Sequence, residues 1–267
     1  MKLSYRLLFM LIAFLCLTGS AARGQQPFVT DNADVTDRRK YHFQFGNEYD
    51  ILPRSAYPAL RQNTSVFELD YGLFNGLEVG FDGPIIAISN SHVVNPRTPA
   101  GFGDLDFHVK YNFRREREDS RLPAMTISFS TEFPTGSTRK QLGSGLQDYF
   151  INGILQKSVS AQTKLRLNGG ILFAGNSTTG VLGIKTRGRV YTGGASLVKQ
   201  FTEKLDLGAE VTGALSSNFN LSRGQLQGLV GGNYALRKNL TFDFGLVGGH
   251  FSASPRVGLQ LGISLDF

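Results

Sequence analysis

The sequence predicts an all-β fold, a transmembrane antiparallel up-and-down β-barrel of about 12 strands. Three observations predict it: an export signal at the N-terminus, a two-residue alternation of apolar and polar side chains, and a last strand that ends on Phe267. We expect a signal peptide over residues 1–24, a periplasmic or lumenal segment over 25–39 and the barrel over 40–267.

The N-terminus has the order of a secretory signal peptide. Lys2 and Arg6 precede the apolar run 7–17, and the small residues 19–22 follow it. The run is much shorter than the roughly 20 residues that span a bilayer, so a cleaved signal is favoured over a transmembrane anchor. The single cysteine, Cys16, lies in this run, so the exported part would have no disulfide, cysteine zinc site or cysteine nucleophile.

Composition narrows the class of protein further. The chain has a formal net charge of +7, and losing Lys2, Arg6 and Arg23 with the signal leaves +4, which is too mild to imply a nucleic-acid partner. The 32 glycines of 267 residues exceed the average share of about 7%. We interpret this excess as suited to many strands joined by tight turns.

Alternation with a period of two recurs along the exported chain and indicates strands with one apolar and one polar face. The clearest segment is 105–113, where Leu105, Phe107 and Val109 alternate with Asp106 and His108. Segments of this kind add up to about 12 strands, an even number as bacterial barrels require. In the segment 190–199 the pattern does not show which set of alternate side chains faces outward.

The connections between these segments alternate in length, as they do in barrels with short periplasmic turns and longer outer loops. The long ones are rich in Gly, Pro, Ser, Thr and Asn and cover 53–61, 89–103, 134–145, 176–188 and 216–223. Only the connection 114–121 is longer than the pattern predicts. This alternation predicts that both ends of the barrel lie on the periplasmic side.

A soluble β-sandwich shows the same alternation, so other features must separate the two classes. The export signal favours the membrane, and so does the unbroken alternation over 257–267. Leu265 and Phe267 resemble the terminal signal that the barrel-assembly machinery recognises. We therefore expect the bacterial outer membrane as the location, with outer-membrane lipid and that machinery as partners.

Several strand-end motifs resemble one family of outer-membrane barrels. The motifs are Asp-Tyr-Gly-Leu at 70–73, Gly-Leu-Glu-Val-Gly at 76–80, Gly-Asp-Leu-Asp at 103–106 and Glu-Phe-Pro-Thr-Gly at 132–136. They resemble the phenol-degradation-pathway (MetA-pathway) transporter family, over most of the mature chain. The resemblance implies a channel that admits small hydrophobic or aromatic solutes by passive diffusion. The chain departs from such barrels in having no tryptophan, so Tyr and Phe must form the interfacial girdle.

Polar side chains of inward parity supply the candidate pore lining. They are Glu68, Asp70, Glu78, Asp104, Asp106, His108, Lys110, Lys164, Arg166 and Glu210, with His250 assigned to the same face. Such charges either line an open pore or pair with one another across strands. About 12 strands allow either state, since roughly eight give a filled interior and sixteen or more an open channel. The polar segment 25–39 fits a lumenal plug, and it fits a loose periplasmic tail at least as well.

Two other functions remain open at this stage. An adhesive or structural barrel would act through its outer loops, 89–103 among them. A rim hydrolase would need a histidine with Ser and carboxylate partners; His92 lies close to Ser89 and Ser91, but no carboxylate is fixed beside it. The sequence has no nucleotide fingerprint and no metal-spaced histidine pair, so we expect no cofactor, no metal and no catalytic residue.

Overall fold

A computed structural model describes residues 26–53, 60–91, 96–117, 120–173, 176–220 and 223–267. The predicted signal peptide, with Cys16, lies outside the described residues. The strands are β1 (Tyr41–Ile51), β2 (Arg61–Phe74), β3 (Leu77–Ser89), β4 (Ala100–Phe102), β5 (Leu105–Arg114), β6 (Ala124–Phe133), β7 (Asp148–Ser160), β8 (Thr163–Phe173), β9 (Asn176–Thr179), β10 (Leu182–Lys185), β11 (Arg189–Gln200), β12 (Leu205–Ser216), β13 (Gln225–Arg237), β14 (Leu240–His250) and β15 (Val257–Asp266). A short 3-10 helix covers Thr138–Lys140.

Twelve of these strands form a closed barrel, which confirms the predicted fold class. Neighbours in the wall pair antiparallel, and β1 pairs with both β2 and β15, so the sheet has no free edge. The exceptions are β4, which extends the pairing of β3 at the rim, and the separate hairpin β9–β10. In the described part of the chain no helix is long and apolar enough to cross a membrane.

Side chains alternate across the wall as the sequence predicts. The outer surface carries a band of exposed apolar residues, such as Phe81, Phe113 and Val230. Lipid can solvate this band, while the closed ladder satisfies the backbone groups that lipid cannot. The ambiguous segment also resolves, because Val190 and Ser196 of β11 are buried inside and Leu197 faces outward.

The barrel closes at the seam between β1 and β15. The backbone N–H of Tyr41 donates to the carbonyl of Phe267 at 2.7 Å, and the N–H of Phe267 donates to the carbonyl of Tyr41 at 2.9 Å. Their rings stack with centroids 5.4 Å apart. Leu265 pairs with Phe43 in the same ladder. Both predicted assembly-signal residues therefore belong to the seam.

The described parts of the long connections gather at one mouth of the barrel, the end that the alternation of loop lengths predicts to face outward. The hairpin β9–β10, which the sequence pattern does not reveal, turns back over the lumen. Its turn is held by Gln62 of β2, whose Nε2 donates to the carbonyl of Thr179 at 2.8 Å and whose Oε1 accepts from the N–H of Val181 at 2.9 Å. Val181 packs in a buried cluster of loop and wall residues; the other members are Leu52, Leu60, Ile86, Ile88 and Leu142.

The opposite rim carries short turns, with one longer connection over 115–123. Gly76 closes the turn between β2 and β3 with φ +85°, a conformation that favours glycine. In the longer connection Glu116 pairs with Lys157 at 2.7 Å and accepts hydrogen bonds from Ser158. Desolvation by itself would raise the pKa of the Glu116 carboxyl, but the bonds to Lys157 and Ser158 outweigh it and hold this pKa below its usual value.

Candidate functional site in the barrel lumen

Residues 26–40, here called the lumenal segment, run inside the barrel wall. Glu210 of β12 holds the segment near its start. Its carboxylate accepts from the N–H of Val29 at 3.0 Å, from the N–H of Thr30 at 2.5 Å and from the Thr30 hydroxyl at 2.5 Å. The Thr30 hydroxyl also lies 2.7 Å from the Ser196 hydroxyl of β11. One carboxylate on the wall thus binds two successive backbone amides, an arrangement that fixes a chain in place.

Further along, the lumenal segment bonds to β5 and β6. Lys110 is only 3% exposed, and its ammonium lies 2.8 Å from the Asp31 carboxylate. The carbonyl of Ala33 accepts from the Asn112 amide at 2.6 Å and from the Thr126 hydroxyl at 2.7 Å. Lys110 lies inside the barrel, on the face that the alternation predicts, and it neutralises an acidic residue of the lumenal segment.

The last part of the lumenal segment leads into β1 along β2 and β3. The N–H of Thr36 donates to the Glu78 carboxylate at 2.5 Å. The N–H of Arg39 donates to the carbonyl of Gly72 at 2.7 Å, and the N–H of Gly72 donates to the carbonyl of Lys40 at 3.0 Å. Of the predicted pore residues, Glu78, Lys110 and Glu210 all contact this segment.

Inward-facing glycines make room for the lumenal segment. A Cβ at Gly72 would overlap the carbonyl oxygen of Asp37, and one at Gly208 would lie 2.8 Å from the Phe28 ring. Other glycines of the wall approach the segment in the same way; they are Gly46, Gly194, Gly231, Gly245 and Gly262. Much of the glycine excess therefore serves close packing in the lumen, and the interpretation that it serves tight turns is incomplete.

A second group of predicted residues forms a network around His108. Its Nε2 lies 2.9 Å from Asp70 Oδ1, and its Nδ1 lies 3.9 Å from Asp82 Oδ2. The ligand atoms of Glu68, Asp70 and His108 lie within 4.8 Å of one another, and so do those of Asp82, Asp106 and His108. Carboxylate and imidazole ligands at this spacing are a set that can hold a divalent metal ion.

Two of the predicted pore residues have structural surroundings that the pattern does not reveal. Asp104 precedes β5, and its carboxylate accepts from the N–H of Gly136 at 2.8 Å and of Ser144 at 2.6 Å. It therefore ties the loop between β6 and β7 to the wall. Arg166 of β8 is buried, and its Nε and Nη1 have no hydrogen-bond partner within the described residues.

Lys164 shares the parity of the buried Arg166 of β8, as the alternation predicts, whereas the assignment of His250 differs between sequence and structure. Lys164 is half exposed and lies 4.0 Å from Asp34, so it meets the lumenal segment only at the edge of ion-pair distance. The inward assignment of His250 is wrong. It pairs with the outward Leu226 at the end of β14 and is exposed. His250 shares the parity of Leu240, Phe242 and Leu246, the apolar outward residues of β14, so the alternation followed along the strand places it outside.

Above the lumenal segment lies a cavity of about 470 Å³, here called the upper cavity. Its floor includes Pro27 and Phe28, and its roof includes Leu182 of β10 and Pro255. The polar wall residues include Gln44, Glu48, Asp50, Gln62, Thr64, Glu68, Glu132, Gln225, Gln227 and Gln260. Only Glu68 was among the predicted pore residues. Glu48, Asp50 and Glu132 alternate with apolar residues in their strands. The alternation therefore predicts that they face the lumen, although they were not among the predicted pore residues.

A neighbouring cavity of about 290 Å³ has apolar side chains along one side. Phe150 of β7 and Leu172 of β8 point into it, with Val29 and Ala214. Gly170 leaves space for the aromatic ring, because a Cβ there would lie 2.6 Å from it. The two cavities share Val29, Leu172 and Glu132 among their lining residues, so they adjoin one another inside the barrel.

Solved structures with this architecture come from bacterial outer membranes. The COG4313 outer membrane channel from Pseudomonas putida F1 superposes with a TM-score of 0.61 at 13% identity, covering 91% of this chain and 99% of that chain. The KdgM porin in complex with disordered oligogalacturonate superposes with a TM-score of 0.55 at 12% identity, covering 85% of this chain and 99% of that chain. The NanC porin superposes with a TM-score of 0.55 at 10% identity, covering 84% of this chain and 98% of that chain. The chain folds as an outer-membrane β-barrel.

At these identities the likeness concerns the fold. No family model matches the chain, and no curated protein matches it either. The closed wall and its apolar outer band belong in lipid, and the location is the bacterial outer membrane.

Proposed function

We propose that the chain is an outer-membrane channel that admits small molecules by passive diffusion, with the lumenal segment as its plug. One observation carries the proposal: two adjoining cavities lie inside a closed barrel, directly above a segment held by polar contacts. Polar contacts can be exchanged for water, and release of the plug also uncovers Phe28, which packs with Val198, Leu229 and Val247. The solved COG4313 channel and the KdgM and NanC porins, all similar in fold, support a channel function.

We further propose that small aromatic or hydrophobic molecules are among its solutes. The inward ring of Phe150, with Leu172 beside it, offers an apolar surface next to the polar wall. Rings prefer offset or edge-to-face contact with one another, which gives such a surface a selective role. The resemblance to the phenol-degradation-pathway family points to the same solutes, and membership of that family stays a prediction.

Uptake into liposomes tests both parts of the proposal. Liposomes containing the purified barrel are expected to admit benzyl alcohol faster than empty liposomes, and deletion of residues 26–36 should raise the rate further. Phe150→Ala should slow the entry of benzyl alcohol relative to a polar solute of similar size. Phe129→Ala is the matched control, because Phe129 faces lipid on the neighbouring strand. Equal permeability with and without the barrel would refute a channel for these solutes.

The other functional hypotheses keep separate tests. His92, on which the rim hydrolase depends, lies outside the described residues, and the nearby Ser91 is fully buried with its hydroxyl donating to Gln141 at 3.1 Å. Loss of a measured esterase or protease activity in His92→Ala would support that hypothesis. For the adhesive barrel, deletion of 89–103 should abolish partner binding while leaving permeability unchanged.

A further inference from the structure

The long connections at the outer mouth carry basic side chains and no acidic ones. Over 53–61, 89–103, 134–145, 176–188 and 216–223 the sequence has no Asp or Glu. It has eight basic residues there: Arg54, Arg61, Arg97, Arg139, Lys140, Lys185, Arg187 and Arg223. The connection 115–123 on the opposite rim is mixed, with three basic and three acidic residues. The outer mouth therefore presents charge of one sign to its surroundings.

Lys185, Arg187 and Arg189, here called the basic stretch, concentrate this charge. Lys185 ends the hairpin β9–β10 and Arg189 begins β11, so three cations alternate along five residues. All three residues are exposed. Within the described part of the chain none of them has an ion pair or a side-chain hydrogen bond. Like charges this close together repel one another, so the basic stretch favours an anionic partner.

The basic stretch ends at the edge of the lipid-facing band. Arg189 has the outward parity of Tyr191 and Leu197 on β11. It pairs with Phe173 of β8, which in turn pairs with Tyr149 of β7, and both of these rings are exposed on the outer surface. Rings of this kind form the girdle at a membrane interface. Arg189 therefore lies at the depth of the lipid headgroups.

An anionic solute of the channel is a poorer partner for these charges. The upper cavity is lined by the carboxylates of Glu48, Asp50, Glu68 and Glu132, and none of its described lining residues is Lys, Arg or His. An anion drawn in by the outer loops would meet charge of its own sign in this cavity. The partner of the basic stretch therefore stays outside the lumen.

We propose that the basic stretch binds the phosphate groups of an outer-leaflet glycolipid, the kind of lipid that lipopolysaccharide represents. The guanidinium groups of Arg187 and Arg189 match phosphate oxygens in both charge and geometry, and Lys185 adds a third cation. The exposed rings of Tyr149 and Phe173 lie beside Arg189, on the surface that the lipid covers. The inference concerns the outer surface of the barrel and goes beyond the proposed channel function.

Native mass spectrometry of the purified barrel in neutral detergent, titrated with lipid A, tests the basic stretch. Diphosphoryl lipid A is expected to bind about tenfold tighter or more than dephosphorylated lipid A. Each cation near an anionic surface contributes about fivefold to binding, so the double variant Arg187→Gln with Arg189→Gln should bind the phosphorylated lipid roughly 25-fold more weakly. Lys185→Gln, with an expected loss of about fivefold, gives a second test should the double variant fail to fold.

Arg237→Gln with Lys238→Gln is the matched control, because it removes the same charge from exposed residues on the opposite rim. It should leave lipid A binding nearly unchanged. Equal binding of the phosphorylated and dephosphorylated lipids, or an equal loss in the two double variants, would overturn the proposal. Tighter binding of a heparin fragment than of lipid A would assign the basic stretch to a soluble polyanion and overturn it as well. Benzyl alcohol uptake reads the channel function separately, so a failure of lipid binding leaves the proposed function standing.

Discussion

Replacing Glu210 by alanine should release the lumenal segment from the barrel wall. The Glu210 carboxylate is buried and accepts three hydrogen bonds from Val29 and Thr30, at 3.0, 2.5 and 2.5 Å. Hydrogen bonds to a charged group contribute about 1.5–3 kcal/mol each. The three share one acceptor and are not additive, and the Thr30 hydroxyl keeps its contact with Ser196. We expect a net loss of about 3 kcal/mol, which corresponds to a shift of about 100-fold in plug occupancy.

Hydrogen exchange measured by mass spectrometry on peptides covering 26–40 reports this shift directly. The amides of Val29 and Thr30 should exchange about 100-fold faster in Glu210→Ala if exchange requires release of the segment. Asp206→Ala removes an inward carboxylate of the same strand for which no contact with Val29 or Thr30 is seen, so it should leave exchange unchanged. Exchange in Glu210→Ala within twofold of the wild type would show that Glu210 does not hold the plug.

Three further substitutions test the packing, the lipid-facing surface and the seam. Gly72→Ala should raise single-channel open probability, because its Cβ overlaps the Asp37 carbonyl, whereas Gly169→Ala, with open space around it, should not. Phe107→Arg places a charge on the lipid side and should lower the free energy of unfolding in liposomes by about 2–4 kcal/mol, the cost at the midplane. Phe267→Ala removes the ring that stacks on Tyr41 and should sharply reduce the heat-modifiable, inserted fraction in outer membranes; normal insertion would exclude a role in assembly.

The wall of the barrel could be predicted from the sequence because one physical rule governs it. Every second residue meets lipid, so alternation as in Leu105, Phe107 and Val109 reports both the strand and the face. Turn length then reports the direction of each strand. The rule fails where its signal is weak: β11 carries Gly193 and Gly194 in its middle. With no side chain to read at its centre, the parity of β11 was ambiguous. The wrong assignment of His250 has another cause, since the alternation of Leu240, Phe242 and Leu246 was not followed to the end of β14.

The contents of the lumen could not be predicted in the same way. Alternation places Lys110 and Glu210 inside, but their partners Asp31 and Thr30 are far along the chain and belong to no strand. These residues, far apart along the chain, come into contact only because the whole barrel closes around the segment. A local sequence pattern does not encode that closure. The hairpin β9–β10 escaped prediction for a related reason. Its strands are four residues each, too short for a period-two pattern to be distinguished from a polar loop.

The two ends of the lumen are closed by different kinds of contact, and this difference determines which end can open. At the outer mouth, Leu52, Ile86 and Val181 belong to a buried apolar cluster, and exposing such side chains costs roughly 25 cal/mol per Å² of surface. The lumenal segment buries one large apolar side chain, Phe28, against Val198, Leu229 and Val247. It is otherwise held by hydrogen bonds and by the Lys110–Asp31 ion pair, for which water can substitute in large part. A hydrated lumen therefore lowers the cost of releasing the segment far more than the cost of unpacking the loops. Opening should proceed from the periplasmic side, with the outer loops keeping their shape around the upper cavity.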